Sequence, residues 1–451
     1  MTPFVESILI WGIWILIPVL LDGTGALLRV GAVLFFKRAT PSYEYEDPEL
    51  PLVSLIVPAY NEESIIERCV NSLKVQNYPD DKTEIIVVDD GSCDLTSEVM
   101  ESVLHGGGAN IVKIDGEYIV VHDFLGKVRF IKNEDNHGKH FVLNLGIVHS
   151  HGDIVMTIDS DTVLDTNAVR NMVVYLMDNP EKAAACGVIE TDSRLIEQLD
   201  QDGFAIDDKN GLPKQKRLTF TESLLSHCQF LEYVNSFRLG RFYQSKMHIE
   251  NMLSGAFTAF KRDALEDKDV VYSNLTVSED FDVSLDLRQD NRDLGFAPDA
   301  KAWVEPTLDL QSLYMQRLRW RRGQLEVVGA HKDMVGSGKY GVIGRLGLPG
   351  MLVIDHTLAF PRLIWTFLLM LFPLYGFSQQ LVAMFFVMLY VFYVLFDVVQ
   401  TAAAYKIADS SSRSSILDSF HYVLLLPVYR IIVFYFRMSG YLVVFKDPQG
   451  W

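Results

Sequence analysis

Two carboxylates that follow a short apolar run are spaced to bind a metal ion. Residues 153–158 (DIVMTI) have the character of a buried strand, and Asp159 and Asp161 come directly after them. Carboxylates at positions i and i+2 can share a hard divalent cation, Mg²⁺ or Mn²⁺, which also binds a diphosphate. One such pair is a weak signal alone, but two earlier strands also end in acidic turns.

Those two strands lie upstream in the chain. Residues 53–58 (VSLIVP) lead into a turn that contains Glu62, and residues 84–88 (EIIVV) lead into Asp89 and Asp90. Ligands of open parallel sheets bind at the carboxyl ends of the strands. Asp89 and Asp90 are therefore placed to hydrogen-bond a uracil or a ribose, and helix N-capping is an equally good interpretation of both.

A fourth acidic turn lies further downstream and suits proton transfer. Asp280 precedes a predicted helix over residues 281–288. A carboxylate at a helix N-terminus is expected to keep a low pKa because of the helix dipole. We therefore expect Asp280 to act as a general base that accepts a hydroxyl proton. The alternative is again a helix cap.

An arginine-rich segment, residues 316–324 (QRLRWRRGQ), combines two binding chemistries. Arginine side chains bind phosphate oxygens in pairs, and the face of Trp320 can stack on a sugar ring. The segment therefore suits a diphosphate next to a carbohydrate. An amphipathic helix near a membrane surface is the alternative explanation.

Composition limits the class of protein that can carry these residues. The chain has 451 residues, of which 49% are hydrophobic, and a net charge of −18. Such a charge repels nucleic acid, so a nucleic-acid partner is excluded. The four cysteines lie far apart and show no CxxC spacing, so we expect reduced thiols in an intracellular domain rather than disulfides or a zinc site.

The apolar residues are concentrated at the two ends of the chain. Residues 8–28 are long enough for one membrane-spanning helix, and the basic pair at 37–38 favours a cytoplasmic location for the domain after it. We expect an N-terminal anchor over residues 1–38 and an α/β domain with a mostly parallel sheet over residues 39–340. Residues 341–451 are expected to contain an interfacial helix at 346–355 and about three membrane helices, at 359–377, 380–404 and 420–436.

Five short motifs together resemble a known family. YNEE, DDGS, DSD, SED and QRLRW occur in this order between residues 60 and 320. They resemble the motifs of the processive family 2 glycosyltransferases, which include cellulose, hyaluronan, chitin and poly-N-acetylglucosamine synthases. Residues 254–262 and 314–328 look most similar to the bacterial branch with poly-N-acetylglucosamine synthases and exosortase-associated transferases. The resemblance spans about residues 52–324 and the membrane layout.

The resemblance implies a cytoplasmic GT-A domain, with a Rossmann-like sheet, in a multi-pass protein of a bacterial plasma membrane. Such enzymes transfer the sugar of UDP-glucose or UDP-N-acetylglucosamine, with inversion, onto a growing polysaccharide acceptor and export the product through their own membrane channel. The implied partners are the donor, the acceptor, membrane lipid and an accessory membrane or extracellular subunit, and the cofactor is Mg²⁺ or Mn²⁺. By position, the resemblance assigns the uridine to Tyr60, Glu62, Asp89 and Asp90, and the rest of the donor to Lys139 and Asp159. It assigns the metal to Asp161 and Asp159, and the catalytic base to Asp280 with Glu279 beside it. It assigns the diphosphate and the acceptor to Gln316, Arg317 and Arg319, and the acceptor also to Trp320, Ser254 and Gly255.

Two other functions remain open at this point. A transferase that moves one sugar onto a polyprenyl-phosphate lipid shares the first three acidic turns but does not need QRLRW. A non-catalytic scaffold with a degenerate domain would lack some of the carboxylates, and all are present. Two insertions also stand out: residues 105–129, where a β-hairpin is predicted, and residues 190–217.

Overall fold

The computed structural model describes residues 19–37, 45–105, 110–114, 118–122, 127–196, 215–266 and 271–446. The chain divides into two compact units. The sheet unit comprises Ala39–Phe230 and Glu250–Lys332. The helical unit comprises Met1–Arg38, Leu231–Ile249 and Asp333–Trp451.

The strands of the sheet unit form one sheet in the described part of the chain. Their order across the sheet is β3-β4-β5-β2-β1-β6-β9-β8-β10-β7. The strands are β1 (Val53–Ala59), β2 (Thr83–Asp89), β3 (Asn110–Ile114), β4 (Tyr118–His122), β5 (Val128–Asn133), β6 (Ile154–Ile158), β7 (Val163–Leu164), β8 (Lys182–Thr191), β9 (Phe257–Lys261) and β10 (Asp293–Val304).

The helices are named in chain order. They are α1 (Thr24–Phe35), α2 (Ile66–Lys74), α3 (Thr96–His105), α4 (Lys139–Val148), α5 (Ala168–Asp178), α6 (Phe220–Tyr233), α7 (Arg241–Met247), α8 (Glu279–Gln289), α9 (Leu310–Ala330), α10 (Leu348–Met351), α11 (Ala359–Leu371), α12 (Gln379–Ile407), α13 (Ser410–Ser419) and α14 (Leu426–Lys446).

The centre of the sheet is parallel, as the sequence predicts. Strands β5, β2, β1 and β6 run in one direction, and β10 runs parallel to β8. Every residue of β1 is buried, as expected for a strand covered on both faces. Helix α4 lies close over β1 because residue 146 is glycine: a Cβ atom there would come within 2.5 Å of Ile56 Cγ2.

Parallel pairing brings the acidic turns to one edge of the sheet. Strand β1 lies between β2 and β6, and all three end at the same side. The turns that contain Glu62, Asp90 and Asp159 therefore follow three adjacent strand ends. Strand β9, which follows Gly255, runs antiparallel to β6 and adds its own starting residues to this edge.

The insertion at residues 105–129 extends the sheet. Strands β3 and β4 pair antiparallel, and β4 pairs antiparallel with β5. The two predicted hairpin strands are therefore confirmed, while the predicted turn at 115–117 lies outside the described residues. Most of the second insertion also lies outside them, at 197–214.

The helical unit contains three helices that are long and apolar enough to cross a membrane, among the described residues. They are Ile343–Tyr375, Gln379–Ile407 and Ser410–Leu442. The second and third contain the predicted runs 380–404 and 420–436, and the first contains all but the last two residues of the run 359–377. The stretch predicted as a separate interfacial helix, 346–355, continues into the first of them, and most of the predicted anchor at 8–28 lies outside the described residues.

Ion pairs connect segments of the helical unit. Asp397 is fully buried, and its carboxylate lies 2.5 Å from Arg430 Nη1. Arg238, which is 2% exposed, donates to Asp409 and to Ser412. Glu232 pairs with an arginine of α14 in the same way. These pairs satisfy charges that would otherwise be costly among apolar helices.

Candidate active site

Asp90 fixes the loop that leads to Lys139. Its carboxylate accepts hydrogen bonds from the backbone N–H groups of His137 (2.9 Å) and Gly138 (2.8 Å). Asp90 is 2% exposed, and its own N–H donates to Ala59 at the end of β1. Asp90 thereby sets where α4 begins and where the Lys139 side chain starts.

The carboxylate of Asp89 is already engaged by its own turn. It accepts hydrogen bonds from the Ser92 hydroxyl and from the Ser97 hydroxyl on α3, and it is fully buried. This geometry favours the capping interpretation for Asp89. Tyr60, in contrast, is 44% exposed beside the same strand ends and is available to a ligand.

Lys139 connects two carboxylates across the site. Its Nζ lies 2.7 Å from Asp159 Oδ1 and 2.7 Å from Glu279 Oε1. Burial opposes the charge of Lys139, but the two carboxylates outweigh burial and raise the pKa of this amine. The sequence separations are 20 and 140 residues, so this cluster exists only in the folded domain.

Glu62 and Asp161 are carboxylates whose pKa is raised by burial and by other carboxylates nearby. Burial, followed by repulsion from neighbouring aspartates, raises the pKa of Glu62 to about 7, although the Ser160 hydroxyl donates to it at 3.0 Å. Burial and the charge of Asp159 raise the pKa of Asp161 to about 6. A bound cation would relieve this repulsion.

The donor set fits a divalent metal that is completed by its substrate. Among the described residues, no group of three or more His, Cys, Asp and Glu side chains is close enough to hold a metal ion. Mg²⁺ in phosphate-binding sites commonly takes one or two carboxylates and completes its shell with phosphate oxygens and water. Asp159 and Asp161 supply such a pair.

Asp280 is held rigidly at the start of α8. Its Oδ1 accepts from the Ser278 hydroxyl (2.9 Å) and from the Phe281 N–H (2.7 Å). Its Oδ2 accepts from the Gly255 N–H at 3.0 Å. Because Oδ1 has two donors and Oδ2 has one, Oδ2 retains room for a further proton donor.

The expected low pKa of Asp280 is wrong. Burial and the adjacent charge of Glu279 raise the pKa of Asp280, and Lys139 only partly offsets them. Burial also disfavours ionisation of Glu279, but Lys139, 2.7 Å away, holds the pKa of Glu279 below its usual range. Asp280, whose pKa is raised, is therefore a better proton acceptor near neutral pH than Glu279, whose pKa is lowered.

Gly255 lies at the centre of the cluster. A Cβ atom at this position would be 3.3 Å from Asp280 Oδ2, 3.6 Å from Lys139 Nζ and 3.7 Å from Asp159 Oδ2. Gly255 and Ser254 also line a small cavity together with Asp280 and Tyr272. Glycine therefore leaves space where three charged side chains converge.

The QRLRW segment lies on α9. Arg317 is buried, and its guanidinium stacks 4.2 Å from the centre of the Trp320 ring. The buried Oε1 of Gln316 has no hydrogen-bond partner among the described residues. Arg319 is exposed, and its charge contributes to the lowered pKa of Glu279. Arg319 therefore acts electrostatically on the cluster, while Arg317 supports the Trp320 ring.

Two features of the site were not found in the sequence. Glu305, just after β10, contributes to the raised pKa of Asp161 and forms an ion pair with Arg68. Gly323 on α9 lets that helix approach the base, because a Cβ there would meet Ser278 Cβ at 2.5 Å. Glu305 belongs to no local motif, whereas the glycine inside an otherwise helical segment was a signal for close packing.

Sequence profiles match most of the chain. The profile described as Glycosyl transferase family 2 matches residues 54–267, and that of Glycosyl transferase family group 2 matches residues 218–396. Together they include the strand-end turns, Asp280, the QRLRW segment and part of the helical unit.

Curated relatives are enzymes of polysaccharide synthesis. A poly-β-1,6-N-acetyl-D-glucosamine synthase of Staphylococcus epidermidis is 28% identical over 284 residues, which are 63% of this chain and 57% of that protein. The protein of the same name from Staphylococcus aureus (strain COL) is 26% identical over 280 residues, 62% of this chain and 56% of its own. The matches thus span little more than half the length of these relatives.

A solved structure has the same fold. A mannosyltransferase from Pyrobaculum calidifontis, solved in complex with GDP-Man and Mn²⁺, superposes with a TM-score of 0.59 at 16% identity. The alignment covers 97% of this chain and 99% of that one. The likeness shows that the sheet of this chain has the GT-A fold.

Proposed function

Because the chain belongs to the family 2 glycosyltransferases, we propose that it polymerises a UDP-sugar into a β-linked polysaccharide. One observation carries this proposal: Lys139, Asp159 and Asp280 converge on Gly255, with Glu279 bound to the lysine. A proton acceptor thus lies beside a group of charges suited to a diphosphate. The curated relatives make UDP-N-acetylglucosamine the first donor to test, with UDP-glucose as the second.

The donor is proposed to bind across the strand ends. The uridine lies against Tyr60, Glu62 and Asp90, while Asp89 shapes the turn from within. The diphosphate faces Lys139, which exchanges part of its contact with Asp159 for phosphate oxygens. This exchange is favourable because a phosphate carries more charge than the carboxylate that it replaces.

A metal ion is part of the proposed donor site. Asp161 and Asp159 would hold Mg²⁺ or Mn²⁺, which when bound neutralises charge on the leaving diphosphate. Burial is the main cause of the raised pKa values of Asp161 and Glu62, and repulsion from the neighbouring carboxylates adds to it. A cation bound here would remove that repulsion, which supports this assignment. Gln316 and Arg319 are proposed to add hydrogen bonds and positive charge on the same side.

The transfer step is a single displacement. An acceptor hydroxyl gives its proton to Oδ2 of Asp280, and its oxygen attacks the anomeric carbon of the donor sugar. The bond between that carbon and the diphosphate breaks as the new glycosidic bond forms, so UDP leaves and the anomeric configuration inverts. Trp320 stacks against the acceptor sugar, and Ser254 and Gly255 line its entrance.

The cellular setting is inferred from the apolar helices. We assign the protein to a bacterial plasma membrane, with an anchor over residues 1–38 and the catalytic domain, residues 39–340, in the cytoplasm. Residues 341–451 would form the rest of the membrane region and export the polymer. An accessory membrane or extracellular subunit is a further expected partner.

Product analysis tests the function. Purified protein in lipid nanodiscs receives Mg²⁺ or Mn²⁺ and one radiolabelled UDP-sugar, and the products are separated by mass and digested with linkage-specific hydrolases. High-mass product from a single donor supports the proposal. A lipid-extractable product with one sugar identifies a polyprenyl-phosphate transferase, and no UDP release from any donor identifies a non-catalytic subunit; either result overturns the proposal.

A further inference from the structure

A second buried carboxylate on α8 points away from the proposed reaction. Asp282 is 4% exposed, and its Oδ1 lies 3.0 Å from His331 Nε2. Its Oδ2 accepts a hydrogen bond from the Ser273 hydroxyl. Burial opposes ionisation, but these two partners hold the pKa of Asp282 below its usual range. The carboxylate therefore connects the loop before α8 to the residue that follows α9.

Helix α9 contacts the same loop at two further points. Gly323 lies against Ser278, where a Cβ atom would approach within 2.5 Å. Glu326 accepts a hydrogen bond from the Val277 N–H at 3.2 Å. With His331, which follows the last helical residue, the contacts run from residue 323 to residue 331, a rise of about 12 Å along the helix axis. The helix that carries QRLRW is thus attached to the loop that ends in the base.

The connection reaches Asp280 through Ser278. The Ser278 hydroxyl donates to Asp280 Oδ1, so a shift of the loop displaces the carboxylate that accepts the proton. A displacement of about 1 Å in a reacting group can lower a rate about 100-fold. The imidazole, at 7% exposure, has little freedom to move by itself.

We propose that His331 and Asp282 are positioning residues that keep the base and the QRLRW helix in register. This inference rests on the proposed role of Asp280. The hydrogen bond between His331 and Asp282 holds the C-terminal end of α9 on the first turn of α8, and the bond from Ser273 holds the loop. Neither side chain touches the substrate.

Two substitutions of His331 separate positioning from bulk packing. His331→Phe fills the space but removes the donor, and we expect kcat to fall about 10-fold while the KM for UDP-sugar stays within about 2-fold. His331→Gln restores a donor near the Nε2 position, and we expect most of kcat to return. Hydrogen exchange at residues 271–278 should accelerate in the first variant and not in the second.

A matched control lies at the opposite end of β2. His151 contacts Glu84 at 3.2 Å, and His151→Phe should leave kcat unchanged. If His331→Phe does not fold, Ser273→Ala removes the other partner of Asp282 and should lower kcat by a smaller factor.

Any of three results would overturn the inference. The first is a wild-type kcat together with a wild-type rate of hydrogen exchange in His331→Phe, and the second is an equal loss of kcat in both His331 variants. The third is a wild-type kcat in Ser273→Ala. Transfer by Asp280→Asn would instead overturn the proposed function. The two failures are therefore distinguishable.

Discussion

Glu279 and Lys139 act on the protonation of Asp280 in opposite directions. Burial and the negative charge of Glu279 raise the pKa of Asp280, and the positive charge of Lys139 lowers it. A base must be deprotonated to work, so the acidic limb of the kcat–pH profile should track this pKa. We expect Glu279→Gln to move that limb to lower pH and Lys139→Met to move it to higher pH.

The size of the shift is set by the geometry at Gly255. Asp280 Oδ2 and Lys139 Nζ both lie within 4 Å of one point beside Gly255, so they are at most about 7 Å apart. At that separation two unit charges interact by about 2 kcal/mol at an effective dielectric constant near 20. Lys139 is 39% exposed, and solvent screening reduces the value to about 1 kcal/mol, or slightly less than one pH unit.

The assay measures kcat from pH 5 to pH 9 at saturating donor, because Lys139 is also expected to bind the diphosphate. Saturation removes the loss of donor affinity from the comparison. Arg319→Met is a useful third variant, because the positive charge of Arg319 acts on Glu279 rather than directly on Asp280. Shifts of the same sign in the two main variants, or no shift in either, would refute the assignment of Asp280 as the base.

Three further results are expected. Asp280→Asn should lower kcat at least 100-fold and leave UDP affinity by calorimetry within about 3-fold; equal loss of both would mean that the base is misassigned. Gly323→Ala should destabilise the protein by about 1–3 kcal/mol because its Cβ meets Ser278 at 2.5 Å, whereas Gly329→Ala, with open space on the same helix, should not; equal melting temperatures would contradict the packing. Chelation should abolish transfer, and Asp161→Asn should raise the Mn²⁺ concentration needed for half-maximal rate at least 10-fold; an unchanged metal requirement would exclude Asp161 as a ligand.

Local sequence pattern was sufficient to predict the central strands whose carboxyl ends carry the candidate site. Apolar runs of five or six residues that end in acidic turns predicted β1, β2 and β6, because strands buried on both faces are nearly continuous in hydrophobicity. Parallel pairing then explains why Asp90 and Asp159 meet at one edge. The same logic could not decide whether Asp89 binds a ligand or caps a helix, because both uses need the same residue type.

Contacts between distant parts of the chain could not be predicted from one sequence. The hydrogen bond between His331 and Asp282 spans 49 residues, and the pairing of Lys139 with Glu279 spans 140. The segment Leu231–Ile249 contains buried Arg238 and looks too polar for a helical membrane region, yet it belongs to the helical unit. Its charge is satisfied by Asp409, and such pairing is invisible to hydropathy.

One active site is proposed to add many sugars to one chain, and a pulse-chase experiment tests this processivity most directly. Protein in nanodiscs receives a short pulse of radiolabelled UDP-N-acetylglucosamine or UDP-glucose, and then an excess of the unlabelled donor. A processive polymerase should convert the label from short to high-mass product during the chase, with few intermediates released. Label that stays on a product with a single sugar, or on a lipid, would contradict the account.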